Sequence, residues 1–108
     1  MRRFGFAAEE RVANFLRQKG FEIVERNFAS KFGEIDIIAK RDGVIHFIEV
    51  KASRRYERIE RITPAKMRKI FKTIDYYFLC RGVQNDYCVD AAVVREDEIE
   101  LIENISIM

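Results

Sequence analysis

The chain has 108 residues, 48% hydrophobic and 35% charged, a balance that drives collapse into one domain and excludes disordered, collagen-like and low-complexity classes. No window approaches the roughly 18 apolar residues of a membrane helix, so no membrane partner is expected. The formal net charge of +2 is too small for tight, indiscriminate binding to a polyanion, yet it hides a strong segregation of charge along the chain.

In chain order, residues 6–19 form a predicted helix, because Ala8, Val12, Phe15 and Leu16 recur on one face. Gly20 closes it at the position where a left-handed residue is needed. Residues 21–28 read as a strand and Ser30-Lys31-Phe32-Gly33 as a turn. Two further strands, 34–40 and 44–52, are joined by Arg41-Asp42-Gly43, a hairpin signal because Gly accepts positive φ without a Cβ clash. Residues 53–62 are polar and arginine-rich and read as a loop or short irregular helix. Thr63 caps the next helix and Pro64 fits its first turn. Met67, Ile70, Phe71, Ile74 and Phe78 mark the buried face of that helix to about Cys80, and Gly82 stops it. Residues 87–95 and 99–102 read as closing strands. The order α-β-β-β-α-β-β implies a single α/β domain over residues 1–108, with a mixed central sheet flanked by helices.

Two adjacent strands carry the chemistry. Side chains alternate along 44–52, so Ile45, Phe47, Glu49 and Lys51 share one face and Val44, His46, Ile48 and Val50 the other. Both faces are largely apolar, as in a strand covered on two sides. Glu49 and Lys51 interrupt that pattern, and on the preceding strand Asp36 stands between Ile35 and Ile37. Buried acids are costly unless paired or holding a metal. Counted from the Asp42-Gly43 turn, Asp36 and Glu49 are near cross-strand neighbours, within roughly 5–8 Å. Two carboxylates so close repel unless a cation lies between them, and oxygen ligands favour Mg²⁺ or Mn²⁺. Glu9, on the flank of the first helix's apolar stripe, is the better third carboxylate than Glu10. Taken singly, Glu49 with Lys51 reads as a surface ion pair and Asp36 as a cap of turn amides; the combination points to a site.

Gly33-Glu34-Ile35-Asp36-Ile37-Ile38-Ala39 followed by Phe47-Ile48-Glu49-Val50-Lys51 resembles the signature of the PD-(D/E)xK nuclease superfamily. More narrowly, the chain resembles the YraN family of small bacterial proteins, which are similar to archaeal Holliday junction resolvases. The likeness spans nearly the whole chain, including Glu9, Phe15-Leu16 and Gly20, Arg26-Asn27, and Thr63-Pro64 with Lys66. It departs in carrying Ala52-Ser53-Arg54 where Thr-Arg is usual after the lysine. The resemblance implies a restriction-endonuclease-like fold in which Asp36 and Glu49 bind Mg²⁺ or Mn²⁺ with help from the Val50 carbonyl. Lys51 would orient or activate water, and Glu9 would act at the site's edge.

Between Lys51 and Lys72 nine Lys or Arg face only two Glu, which suggests an anionic polymer as partner. Arg54, Arg55, Arg58, Arg61, Lys66, Lys69 and Lys72 are the candidate phosphate contacts, with Tyr56 a stacking residue for an unpaired base. The opposing reading is a solvated face. Between Asp86 and Met108 seven acids stand against Arg95, and they read as a solvated edge or a face that deters DNA. His46, on the face opposite Glu49, reads as a core histidine, and Tyr76, Tyr77 and Phe78 as core and helix-edge residues. Cys80 and Cys88, eight positions apart, read as small core residues of a reducing compartment. The opening residues to Arg11 lack the apolar stretch of a signal peptide, and a cytoplasmic location is expected. The leading expectation is a metal-dependent nuclease on DNA, branched or damaged DNA included. The alternatives are a catalytically weak or inactive nucleic-acid-binding accessory and a protein-interaction module. A homodimer would supply two sites for cutting two strands.

Overall fold

The computed structural model of the chain describes residues 2–52 and 63–105. Seven elements follow one another: α1 (Arg2–Gln18), β1 (Glu22–Ser30), β2 (Gly33–Arg41), β3 (Val44–Ala52), α2 (Pro64–Arg81), β4 (Tyr87–Val94) and β5 (Ile99–Ile102). The expected order is therefore present, with α1 beginning earlier than the apolar stripe alone implied. The five strands lie in one sheet in the order β1-β2-β3-β4-β5. β3 and β4 are parallel, joined by α2, and the other neighbours are antiparallel. The sheet is mixed, as the α/β reading required.

Each helix covers one face. Ala8, Val12, Ala13 and Leu16 of α1 pack on Ile37, Ala39, Ile48, Ala92 and Val94. Ile70, Ile74 and Tyr77 of α2 pack on Phe28, Ile38, Ile45, Phe47 and Val89. β3 is thus sandwiched, which explains its apolar residues on both sides. Thr73 is buried in α2 although polar, because its hydroxyl reaches the Lys69 carbonyl at 3.0 Å and the Ser30 hydroxyl at 2.9 Å. At the β2–β3 turn Asp42 and Gly43 both take positive φ, 52° and 78°, the handedness a two-residue hairpin turn needs.

Two expectations about burial fail. Cys80 is exposed on the outer side of α2, because its turn of the helix presents Ile74, Tyr77 and Phe78 to the sheet instead. Asp90, counted above with the solvated acids, is fully buried, because β4 runs beneath the helices and its side chain is met by three hydrogen-bond donors. His46 is a core residue as expected, 5% exposed.

The start of α2 is set locally. Thr63 is extended (φ −66°, ψ 155°), and its hydroxyl accepts the Lys66 N–H at 3.1 Å. Thr63→Ala removes that cap, and a loss of about 1 kcal/mol in urea unfolding is expected. An unchanged unfolding midpoint would show that the cap does not hold the first turn.

Candidate active site at the fork between two strands

The hairpin register places the two motif acids opposite each other. Arg41 pairs with Val44, and the ladder continues to Ile37 with Ile48, where the β2–β3 pairing ends. The next positions along that register are Asp36 and Glu49. Beyond them β2 stays paired with β1 as far as Ser30 with Gly33, while β3 stays paired with β4 as far as Ala52 with Val94. The two central strands therefore part at the acids, leaving a fork.

Asp36 closes the apex of this fork. Its Oδ2 accepts the Val50 N–H at 2.8 Å, taking the place of a β2 carbonyl. In an extended strand a residue's N–H and C=O point to the same side, so the Val50 carbonyl is directed to the β2 side of β3 as well. The alternation of β2 slips here: Ile35 belongs to the α2 side and Ile37 to the α1 side, though a regular strand would put both on one face. Opposite, between the Arg26–Ile37 and Phe28–Ile35 pairs of β1, Asn27 takes the left-handed conformation (φ 53°) that Asn tolerates. Irregular strand positions of this kind re-aim side chains next to functional sites.

Both helices contribute to the fork. Glu9 of α1 is held by Asn27 Nδ2, 3.0 Å from its Oε1, and Glu10 pairs with Arg26 at 2.9 Å. Glu9 is the more buried of the two, 14% against 44% for the side chains. From α2, Lys66 places Nζ 2.6 Å from Glu49 Oε1, while Lys51 Nζ lies 3.7 Å from the same oxygen. Lys66, a candidate phosphate contact in the sequence, also lies against Glu49 from the first turn of α2, which the Thr63 cap holds. Lys69 and Lys72 are exposed farther along the helix. Arg54, Arg55, Arg58, Arg61 and Tyr56 lie outside the described residues.

The electrostatics are those of crowded acids. Burial, then the charges of Glu9, Glu49 and Glu34, push the Asp36 carboxyl up to about 6, against the lowering effect of the Val50 N–H. Among the described residues Glu49 Oε2 is buried without a hydrogen-bond partner, so this acid has an unused acceptor there. Asp36, Glu49 and the Val50 carbonyl fit a hard divalent cation: all donors are oxygen, one is unsatisfied, and mutual repulsion would be relieved by positive charge. The motif spacing singles out Asp36, Glu49 and Lys51, and the family likeness includes Asn27 and Lys66, but neither the Asn27–Glu9 bond nor the approach of Lys66 to Glu49 follows from local sequence.

A separate cleft of about 830 Å³ lies at the far end of α2, lined by Asp75, Phe78, Leu79, Val83, Asp86 and Tyr87. From Lys66 to Leu79 is about 20 Å along the helix axis, so this cleft has no part in the acidic fork.

A mixed five-stranded sheet covered by one helix on each face, with acids converging where two central strands part, defines a small restriction-endonuclease-like α/β domain. Uncharacterised protein family UPF0102 matches residues 8–102, and the chain belongs to that family, the YraN family whose motif it resembles. It is 52% identical over 102 residues to a UPF0102 protein of Helicobacter pylori strain Shi470, covering 94% of this chain and 90% of that protein. A UPF0102 protein of Helicobacter hepaticus is 48% identical over 103 residues, covering 95% of this chain and 94% of the relative. One from Campylobacter jejuni strain 81-176 is also 48% identical over 103 residues, covering 94% and 92%. No helix among the described residues is long and apolar enough to cross a membrane.

Proposed function

We propose that the chain is a metal-dependent nuclease that hydrolyses phosphodiester bonds in DNA, with branched or damaged DNA among its substrates. The observation that carries this reading is the fork itself: β2–β3 pairing stops just before Asp36 and Glu49, Asp36 takes the Val50 N–H and feels the Glu49 charge, and Glu49 Oε2 is buried with no hydrogen-bond partner among the described residues. Asp36, Glu49 and Val50 would hold Mg²⁺ or Mn²⁺, which supplies Lewis acidity and lowers the pKa of water. Lys51 shares a strand with Glu49, so backbone geometry holds its ammonium beside the reacting phosphate. There it orients water and offsets the negative charge that grows in the transition state. Glu9, tied to Asn27, shapes the edge of the site. Lys69 and Lys72, with Arg54, Arg55, Arg58 and Arg61, contact phosphates and position the strand without reading its sequence.

One observation favours a second reading, a nucleic-acid-binding accessory with little or no activity. Lys66 already neutralises Glu49 Oε1 at 2.6 Å, as a residue of a metal-free site would. Linear, flapped and four-way DNA incubated with the full chain and Mg²⁺ or Mn²⁺ separates the two. Cleavage that is lost in both Asp36→Ala and Lys51→Ala is the expected result. Cleavage surviving both changes would mark a contaminant and defeat the nuclease reading. Salt-sensitive binding without cleavage would establish the accessory instead.

A further inference from the structure

A second polar cluster is buried on the α1 side of the sheet, and nothing in the proposed cleavage uses it. β3 and β4 run parallel with His46 opposite Cys88, and Asp90 projects to the same face two residues on. His46 Nδ1 lies 2.6 Å from Asp90 Oδ2 and 3.1 Å from Cys88 Sγ, and Sγ lies 3.3 Å from Asp90 Oδ1. One donor atom from each of the three residues thus lies within 4.8 Å of the others. His46 and Asp90 are buried and Cys88 is half-buried, which leaves an approach from solvent on the cysteine side.

Contacts outside the triad hold it in place. The Asn104 N–H donates to Asp90 Oδ1 at 2.9 Å, and the Phe21 ring meets the His46 ring edge-on at 4.9 Å. Arg41 and Glu103, the charged groups nearby, pair with each other at 2.9 Å and so add no net charge. Fixing ligand side chains through such outer partners is characteristic of metal centres.

We propose that His46 Nδ1, Cys88 Sγ and an Asp90 oxygen form a binding site for a borderline-soft divalent ion of the Zn²⁺ class. Imidazole, thiolate and carboxylate are the donors such ions take, whereas Mg²⁺ prefers oxygen alone; the site is therefore chemically distinct from the fork. Without an ion, burial and then Asp90 push the Cys88 thiol up to about 12, so it carries its proton. On binding, that proton leaves to solvent, and the imidazole exchanges the Nδ1 proton it gives Asp90 for one on Nε2, so that Nδ1 can ligate. The ion's two positive charges then balance the thiolate and the carboxylate, and a neutral group is what a buried position tolerates. Bound there, the ion ties β3, β4 and the segment after β5 together.

The test is a Co²⁺ titration of the full chain carrying Cys80→Ser, which removes the exposed second thiol. A thiolate-to-cobalt charge-transfer band that saturates at one equivalent and is displaced by Zn²⁺ is expected. It should vanish in Cys88→Ser, and His46→Gln should weaken Co²⁺ binding by at least about tenfold. Absence of the band from folded Cys80→Ser protein would overturn the proposal whatever the other variants do. So would a band of equal strength in Cys88→Ser.

Discussion

Lys51→Met is expected to lower metal-dependent DNA cleavage about 10²–10³-fold, the size of effect seen when one preorganised electrostatic contact to a transition state is removed. Lys66→Met is expected to do something different: it should tighten Mn²⁺ binding about tenfold and leave cleavage at saturating Mn²⁺ within tenfold of the parent. The two lysines flank the same Glu49 oxygen, at 3.7 Å and 2.6 Å. An ion held by Glu49 must share that oxygen with the closer ammonium or displace it. Lys66 is half exposed, so the repulsion between its charge and a divalent ion follows the solvent-screened value, about 1 kcal/mol per pair of unit charges at 4 Å. Lys51 is farther from the oxygen, and in the proposed reaction its ammonium faces the phosphate, so its loss is expected to fall on the chemical step. Calorimetric Mn²⁺ titration and single-turnover cleavage read the two effects separately. Equal losses of cleavage in both variants, or weaker Mn²⁺ binding by Lys66→Met, would refute this division of roles.

The parts of this molecule that were legible in its sequence are those governed by local rules. Asp42-Gly43 sets a two-residue turn, the turn sets the register of β2 on β3, and the register sets Asp36 opposite Glu49. The faces of α1 and α2 follow from periodicity in the same way. What sequence could not reveal depends on how distant elements dock. Lys66 is 17 positions from Glu49, and only the path of the crossover through α2 brings its ammonium to that carboxylate. The His46–Cys88–Asp90 cluster rests on the parallel register of β3 with β4, which no turn specifies. Cys80 was expected inside because cysteine is a small apolar residue, yet the neighbouring Tyr77 and Phe78 fill the space against the sheet.

The slip of β2 at Asp36 was also illegible, and it changes what that acid does. Strict alternation would have left Asp36 on the same face as Ile38, under α2; instead its carboxylate lies between the strands and takes the Val50 N–H. Asn27 is the sequence feature that permits this, since the left-handed backbone opposite Asp36 would strain most other residues. The β2–β3 pairing thus ends beside Asp36, which feels the charges of both Glu9 and Glu49. Folds commonly concede regularity at functional positions, and the cost appears as reduced stability.

That cost leads to the second large effect, Asp36→Asn. Burial, and then the charges of Glu9, Glu49 and Glu34, push the Asp36 carboxyl up from 3.8 to about 6. A carboxyl whose folded pKa is raised favours the folded state most below its unfolded pKa, where both forms are protonated. That advantage fades as pH climbs from about 4 through 6, because the folded chain resists losing a proton that the unfolded chain gives up readily. At pH 7 the ionised Asp36 should therefore cost about 2 kcal/mol, after allowance for its partial exposure to solvent. Asparagine keeps an oxygen for the Val50 N–H and removes the charge. Asp36→Asn is accordingly expected to unfold about 2 kcal/mol later than the parent at pH 7 and to match it near pH 4. Mg²⁺ should flatten the parent's decline between pH 4 and 7 by supplying the missing positive charge, and should leave the variant unmoved. Urea unfolding across that range, with and without Mg²⁺, measures all three. A variant that is no more stable than the parent at pH 7 would mean that the acids at the fork are not crowded, and the case for a cation among them would fall with it.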